Sequence, residues 1–174
     1  AVGLQEFFLD VHLRNVSSRY DFDSLRVGIQ PYTTDFRGFL FNDLPLGVRV
    51  FGTRDNNRIQ YNLAVFRRME KDSNSGLNDP TRALRADDVW SATLFRQDFP
   101  LLGLTSQWSI THNRNRETDP FEDTNGFRVR PAVLGDLRGH AYRVTYLGYS
   151  ADGHLGALWP VARLNLSTST YLAL

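Results

Sequence analysis

Residues 58–67 read Arg-Ile-Gln-Tyr-Asn-Leu-Ala-Val-Phe-Arg. Ile59, Tyr61, Leu63 and Val65 alternate with Arg58, Gln60, Asn62 and Ala64. Successive side chains of an extended chain point to opposite faces, so this period of two predicts a strand with one apolar and one polar side. The pattern recurs on either side. In 4–14, Phe7, Leu9, Val11 and Leu13 oppose Glu6, Asp10, His12 and Arg14. In 23–32, Leu25, Val27 and Ile29 oppose Ser24, Arg26, Gly28 and Gln30, and in 45–53, Leu46, Val48 and Val50 oppose Gly47, Arg49 and Phe51.

Four later segments give further strands: 88–97 (Trp90, Ala92, Leu94), 101–112 (Leu102, Leu104, Trp108, Ile110), 139–150 (Tyr142, Val144, Tyr146) and 162–173 (Leu164, Leu166). Segment 127–134 reads as a short strand that Pro131 confines to an edge, a loop or a plug. No helix of useful length and no repeat is found.

The connections alternate in length. Arg54-Asp55-Asn56-Asn57, Asp98-Phe99-Pro100 and Ala151-Asp152-Gly153 read as tight turns, and 15–22 falls on the same side. Between them lie long loops at 33–44, 68–87 and 113–138. Brief turns at one end and long loops at the other are the pattern of an up-and-down transmembrane barrel with strands of about ten residues. Loop parity puts both ends of the chain on the long-loop side. With Ala1 in place of an initiator Met and Tyr-Leu-Ala-Leu at the end, this leads us to expect a segment of a larger barrel.

Composition bounds the alternatives. The chain has 174 residues, 41% hydrophobic and 13% aromatic, which fits one ordered domain and not a disordered chain. A net charge of +1 gives no field for nucleic acid, and the absence of Cys excludes disulfides, thiolate metal sites and Cys nucleophiles. No stretch approaches the roughly 20 apolar residues of a spanning helix. A mean hydropathy of −0.36 is compatible with a barrel, in which only every second residue meets lipid.

Alternation does not say which face is wet. A soluble ligand-binding barrel turns its apolar residues inward, and a membrane barrel turns them outward. The loop asymmetry, the arginines of the polar faces and the aromatics near strand ends (Phe7, Tyr61, Trp90, Trp108, Tyr142) favour the membrane. A resemblance points the same way. Val27 to Tyr32 (VGIQPY), Asp35 to Phe41 (DFRGFLF), Leu46 to Gln60 (LGVRVFGTRDNNRIQ), Tyr61 to Asp79 and Leu94 to Pro100 (LFRQDFP) resemble a family of large porin-like or TonB-receptor-like outer-membrane barrels of Gram-negative bacteria. Asn125 to Phe127, Arg130-Pro131 and Tyr146 to Tyr149 extend the likeness. The resemblance implies a fold and a compartment, the bacterial outer membrane, and transfers no catalytic motif.

The expected fold is thus all-β: an antiparallel up-and-down transmembrane β-barrel of about eight strands, or a segment of a larger one. The expected lumen lining is Arg26, Arg49, Arg58, Arg96 and Arg143 with Glu6, Asp10 and His12. Such charges set ion selectivity across a pore, or pair and pack a narrow lumen. The expected function is porin-like passage of small polar or anionic solutes, with loops 68–87 and 113–138 constricting the outer mouth. A structural barrel scaffolding a partner in an envelope complex is the alternative, and a soluble ligand-binding barrel the third. Expected partners are the lipid bilayer, lipopolysaccharide, small solutes, and further barrel strands or subunits, with no nucleic acid and no cofactor. No enzyme is expected. His12, His112, His140 and His154 lack zinc-site spacing, and Ser109 falls on the strand face opposite His112. Asp72 to Asp79 offers hard oxygens without EF-hand spacing, and Glu117 to Asp123 is a second acidic stretch; both read as solvated loops.

Overall fold

A computed structural model describes residues 2–123, 125–130, 139–155 and 164–174. Among these residues there are strands and no helix. The strands are β1 (Phe7–Asn15), β2 (Phe22–Ile29), β3 (Tyr32–Thr33), β4 (Asn42–Asp43), β5 (Leu46–Arg54), β6 (Ile59–Arg67), β7 (Asp87–Gln97), β8 (Leu104–Asn115), β9 (Phe121–Glu122), β10 (Arg128–Arg130), β11 (Tyr142–His154) and β12 (Asn165–Ala173).

The eight long strands form one sheet in the order β1-β2-β5-β6-β7-β8-β11-β12, every neighbour antiparallel. This is the up-and-down meander that the alternating segments predict. The sheet is not closed. β1 and β12 do not pair with each other, and each keeps one edge without a strand partner among the described residues. Of the two forms expected, a barrel closing on itself or part of a larger one, the chain does not take the first: its eight antiparallel strands make an open up-and-down sheet.

The ends of the elements show where local sequence was outweighed. Ala151, Asp152 and Gly153, which read as a turn, pair with Ser106, Thr105 and Leu104 and with Thr168, Ser167 and Leu166. β11 thus runs on to His154, and 156–163, which precede β12, fall outside the described residues. Conversely 101–103, expected in a strand, form part of the turn before β8. Segment 127–134 contributes β10, which pairs with β9; its Pro131 lies outside the described residues. The turn at 55–57 holds Asp55, Asn56 and Asn57 at φ values of 55°, 56° and 64°. Asp and Asn tolerate this left-handed region better than other side chains. The Asp21 carboxylate accepts the N–H groups of Asn56 and Asn57 at 3.2 and 3.1 Å, tying this turn to the one before β2.

Directly paired residues share a face, so the register carries each face across the sheet. One row runs Val11, Leu25, Val50, Leu63, Ala92, Ile110, Leu147, Leu172. The next, toward the long loops, runs Leu9, Val27, Val48, Val65, Trp90, His112, Thr145. This apolar face is bare: Leu63 and Ile110 are each 53% exposed and Leu172 is 55%. The opposite face carries Ser91, Thr93, Gln107, Ser109, Thr111 and Ser150, all buried, with Gln107 at 1% and Thr111 at 2%. The sheet is inside-out relative to a soluble sandwich, whose apolar face would be covered.

The cover of the polar face is the first long connection. Residues 30–45 carry the β3–β4 hairpin and fold across the sheet instead of away from it. Tyr32 packs its ring 4.7 Å from that of Phe66 and donates its hydroxyl to Ser91 Oγ at 2.9 Å. Tyr32, Ala64, Phe66 and Val89, with Phe41 beside them, make a small apolar core between hairpin and sheet. Further along, Phe36 meets Phe95, Arg37 donates to Ser167 Oγ at 2.8 Å, and Phe39 stacks on Tyr171 at 5.2 Å. The tip turns because the Asp35 carboxylate accepts the N–H groups of Arg37, Phe39 and Leu40, with Gly38 at φ 64°.

Candidate functional site: the lined face beneath the inward hairpin

The cross-strand pair Arg26 and Arg49 lies on the polar face of β2 and β5. Like charges directly opposite are unfavourable unless each finds compensation. Arg26 finds it in Asp10, donating from Nη2 at 2.6 Å and Nε at 3.1 Å, and its guanidinium lies 4.2 Å from the centre of the Phe8 ring. Arg49 makes no ion pair among the described residues and feels Asp10 only at longer range. It donates from Nε to Asn62 Oδ1 at 2.8 Å and lies 4.6 Å from the Phe51 ring and 5.6 Å from Tyr32. Two guanidinium groups with one carboxylate leave this patch positive. A cavity of about 300 Å³ beside Arg49, Phe51, Gln60 and Asn62 opens next to it. A second, of about 470 Å³, lies between the hairpin tip (Phe36, Arg37) and Thr105, Asp152, Ser167 and Ser169.

The expected lining residues are only partly brought together. Arg26, Arg49, Asp10 and His12 share the polar face, with the His12 ring 6.0 Å from Phe22. Glu6 precedes β1, is exposed and makes no ion pair among the described residues. Arg58 sits in the β5–β6 turn and donates to Asp98 at 3.1 Å, bridging two turns. The Gly103 N–H and then Arg58 hold the Asp98 carboxyl below its ordinary range. Arg96 has the parity of Trp90 and Leu94, so it lies on the apolar face, 4.5 Å from the Phe99 ring. Arg143 pairs with Arg114 and shares the face of Ile110 and Leu147. Arg58, Arg96 and Arg143 are therefore not on the polar face with the other expected residues, the last two because strand parity and register place them on the apolar face.

The remaining polar face is mostly neutral hydroxyls and amides held by the hairpin. Gln107 is the central member, donating to the Thr34 carbonyl at 2.7 Å and accepting the Phe36 N–H at 3.0 Å. Sequence reasoning missed it, since a Gln on a polar face carries no local mark of a partner 73 residues away.

At the long-loop end a charge network joins three connections. Arg68 reaches Asp43 at 3.1 Å and Asp87 at 3.3 Å, and Lys71 also pairs with Asp43. Arg85 grips Glu117 at 2.7 and 3.2 Å, and Arg130 grips Glu70 with two 2.6 Å bonds while lying 3.2 Å from Glu117. Burial pushes the Asp43 carboxyl up, but Lys71, the Leu44 N–H and Arg68 outweigh it and hold it below its ordinary value. Burial likewise pushes Glu117 up, and Arg85, Arg130 and Asn115 bring it down. Among the described residues the connection lying across the polar face is 30–45; 68–87 meets it at Asp43 through Arg68 and Lys71, and Glu117 and Arg130 join 68–87 through Arg85 and Glu70, while 124 and 131–138 of the second loop expected at the mouth lie outside the described residues.

The remaining candidates resolve into local structure. Asp72 accepts the N–H and hydroxyl of Ser75, and Asp79 those of Thr81, so these oxygens are engaged in turns. Among the described residues no group of three or more acidic, His or Cys side chains is arranged to hold a metal. Ser109 and His112 lie on opposite faces, with His112 Nδ1 2.9 Å from Thr145 Oγ1. No protein-family profile matches the chain, and neither a curated protein nor a solved structure was found to be similar to it.

Proposed function

We propose that this sheet is membrane-spanning wall from a bacterial outer-membrane barrel, and that its inward hairpin narrows a porin-like path for small polar or anionic solutes. One observation carries the reading: the face left bare across eight strands is the apolar one, while the hydroxyl and amide face is covered by the chain's own connection. Water as the only solvent disfavours that arrangement, and lipid favours it. The boundary of the apolar band adds support. On β2 apolar residues of this face run through exposed Val27 to buried Ile29 at the long-loop end, but on β8 they stop at Ile110 and His112, below Arg114. At the short-turn end the order reverses, with Asp23 on β2 and Trp108 on β8 in one row. A band that runs obliquely to the strands becomes level when the strands tilt, as they do in a closed barrel. Closure requires β1 and β12 to pair, with each other or with further strands, because open sheet edges do not persist in hydrocarbon.

The anion preference follows from Arg26 and Arg49 with the single Asp10. In planar bilayers the protein should give discrete conductance steps that favour anions, and Arg49→Glu should shift the preference toward cations. A second reading, a structural wall that scaffolds a partner, is favoured by the close fit of Tyr32, Phe66 and Gln107 under the hairpin. Stable insertion without conductance steps would select it.

A further inference from the structure

The apolar face ends toward the long loops in a row of charge. Arg67, Asp88, Arg114 and Arg143 are successive cross-strand partners on β6, β7, β8 and β11, and Arg116 follows on the same face. Asp88 is shared by Arg67 and Arg116, each at 2.7 Å. Arg114 and Arg143 then face each other, neither in an ion pair among the described residues; Asp88 acts on Arg114 only at longer range, and Nε of Arg114 is buried without a hydrogen-bond partner. Directly opposed like charges on neighbouring strands are destabilising, so the pair suits an anion that no described residue supplies.

What lies beneath the row says what kind of anion. An apolar depression of about 430 Å³, lined by Val48, Leu63, Val65, Trp90, Ala92 and Ile110, opens on the same face one to two rows below. It forms where small Ala92 sits between Leu63 and Ile110. A ligand touching both features carries anionic groups above and hydrocarbon below. The charged row crosses four strands, which at about 4.8 Å per strand spans roughly 14 Å. That is too wide for one phosphate and suits two.

We infer that this row and depression bind a lipid whose headgroup bears two phosphates, with an acyl chain lying along Trp90 and Ile110. Arg114 and Arg143 take one phosphate, and Arg67 and Arg116 take the other beside Asp88. The inference rests on the membrane reading above.

The test uses the 174-residue chain in detergent micelles, following tryptophan fluorescence during titration with bis-phosphorylated lipid A, its dephosphorylated form, phosphatidylglycerol and sodium phosphate. The two-phosphate lipid should bind about tenfold more tightly than the dephosphorylated form, the scale expected of charge-assisted bonds. The double variant Arg114→Gln/Arg143→Gln should abolish that preference, while Arg19→Gln, in the turn at the opposite end, should keep it. Retained preference in the double variant overturns the inference, as does equal binding of phosphatidylglycerol. Displacement by sodium phosphate at the lipid's own concentration also overturns it, by assigning the row to free phosphate. A chain that never enters micelles or bilayers takes the membrane reading down as well, whereas insertion without this preference overturns the lipid site alone.

Discussion

Gln107 on β8 and Thr34 in the inward hairpin are joined by a 2.7 Å hydrogen bond from side-chain amide to backbone carbonyl, and the same side chain accepts the Phe36 N–H at 3.0 Å. One buried amide thus fixes both a carbonyl and an N–H of the connection that covers the polar face. Replacing Gln107 with Leu leaves both backbone groups unpaired, at about 1–3 kcal/mol each. The hairpin should detach before the sheet does. Limited trypsin digestion of Gln107→Leu should cleave at Arg37 much faster than in the unaltered protein, with the sheet's circular dichroism unchanged. Equal cleavage rates would show that Gln107 does not hold the hairpin.

Tyr32 separates packing from hydrogen bonding at the other end of the same connection. Tyr32→Phe loses only the bond to Ser91 and should cost about 1 kcal/mol, whereas Tyr32→Ala also empties the space against Phe66 and should cost about 3–5 kcal/mol. Denaturant titration of the two variants in detergent gives the ratio. Equal losses would mean that the ring contributes nothing.

The long-loop network predicts acid sensitivity of a defined sign. Asp43 and Glu117 are held below their ordinary values of 3.8 and 4.5, so their ion pairs add stability that is complete above those values. That contribution is lost as pH falls through the lowered values, because the unfolded chain then binds protons that the folded one resists. Thermal stability should be level from pH 7 to about 5 and fall below about pH 4. Glu117→Gln should make the fall shallower. A variant with the same acid slope as the unaltered protein would show that Glu117 is not part of it.

The bare face predicts a position-dependent cost of charge. Ile110→Arg places a guanidinium mid-band, where lipid-facing Arg costs about 2–4 kcal/mol. Arg96, on the same face but at the short-turn rim, marks where such a charge is tolerated. Folding yield into vesicles should drop sharply for Ile110→Arg and hold for Leu102→Arg, in the turn beyond Arg96. Equal yields would mean the band does not meet lipid.

All eight long strands were legible in the sequence because period-two alternation is local, and so was the alternation of short and long connections. What alternation lacks is register, and register decided the site. Pairing of Arg143 with Arg114 and of Leu147 with Ile110 puts Arg143 on the apolar face, although the local pattern gives that face to Tyr142, Val144 and Tyr146. The 151–153 turn failed because pairing with both β8 and β12 outweighed the turn propensity of Asp-Gly. The inward course of 30–45 was not legible at all. It depends on Gln107, Ser91, Phe66 and Tyr171 meeting residues far away in the chain, and none of these carries a local signal.

The central claim is that the exposed apolar face meets lipid. Trp90 and Trp108 sit on that face, so with Trp159→Phe they are the remaining indoles and report on it directly. The variant should be folded into vesicles of lipids brominated along the acyl chain, and its fluorescence compared with that in unbrominated vesicles. The account predicts strong quenching by the brominated chains. Unquenched fluorescence, with the protein monodisperse in buffer free of detergent, would contradict it.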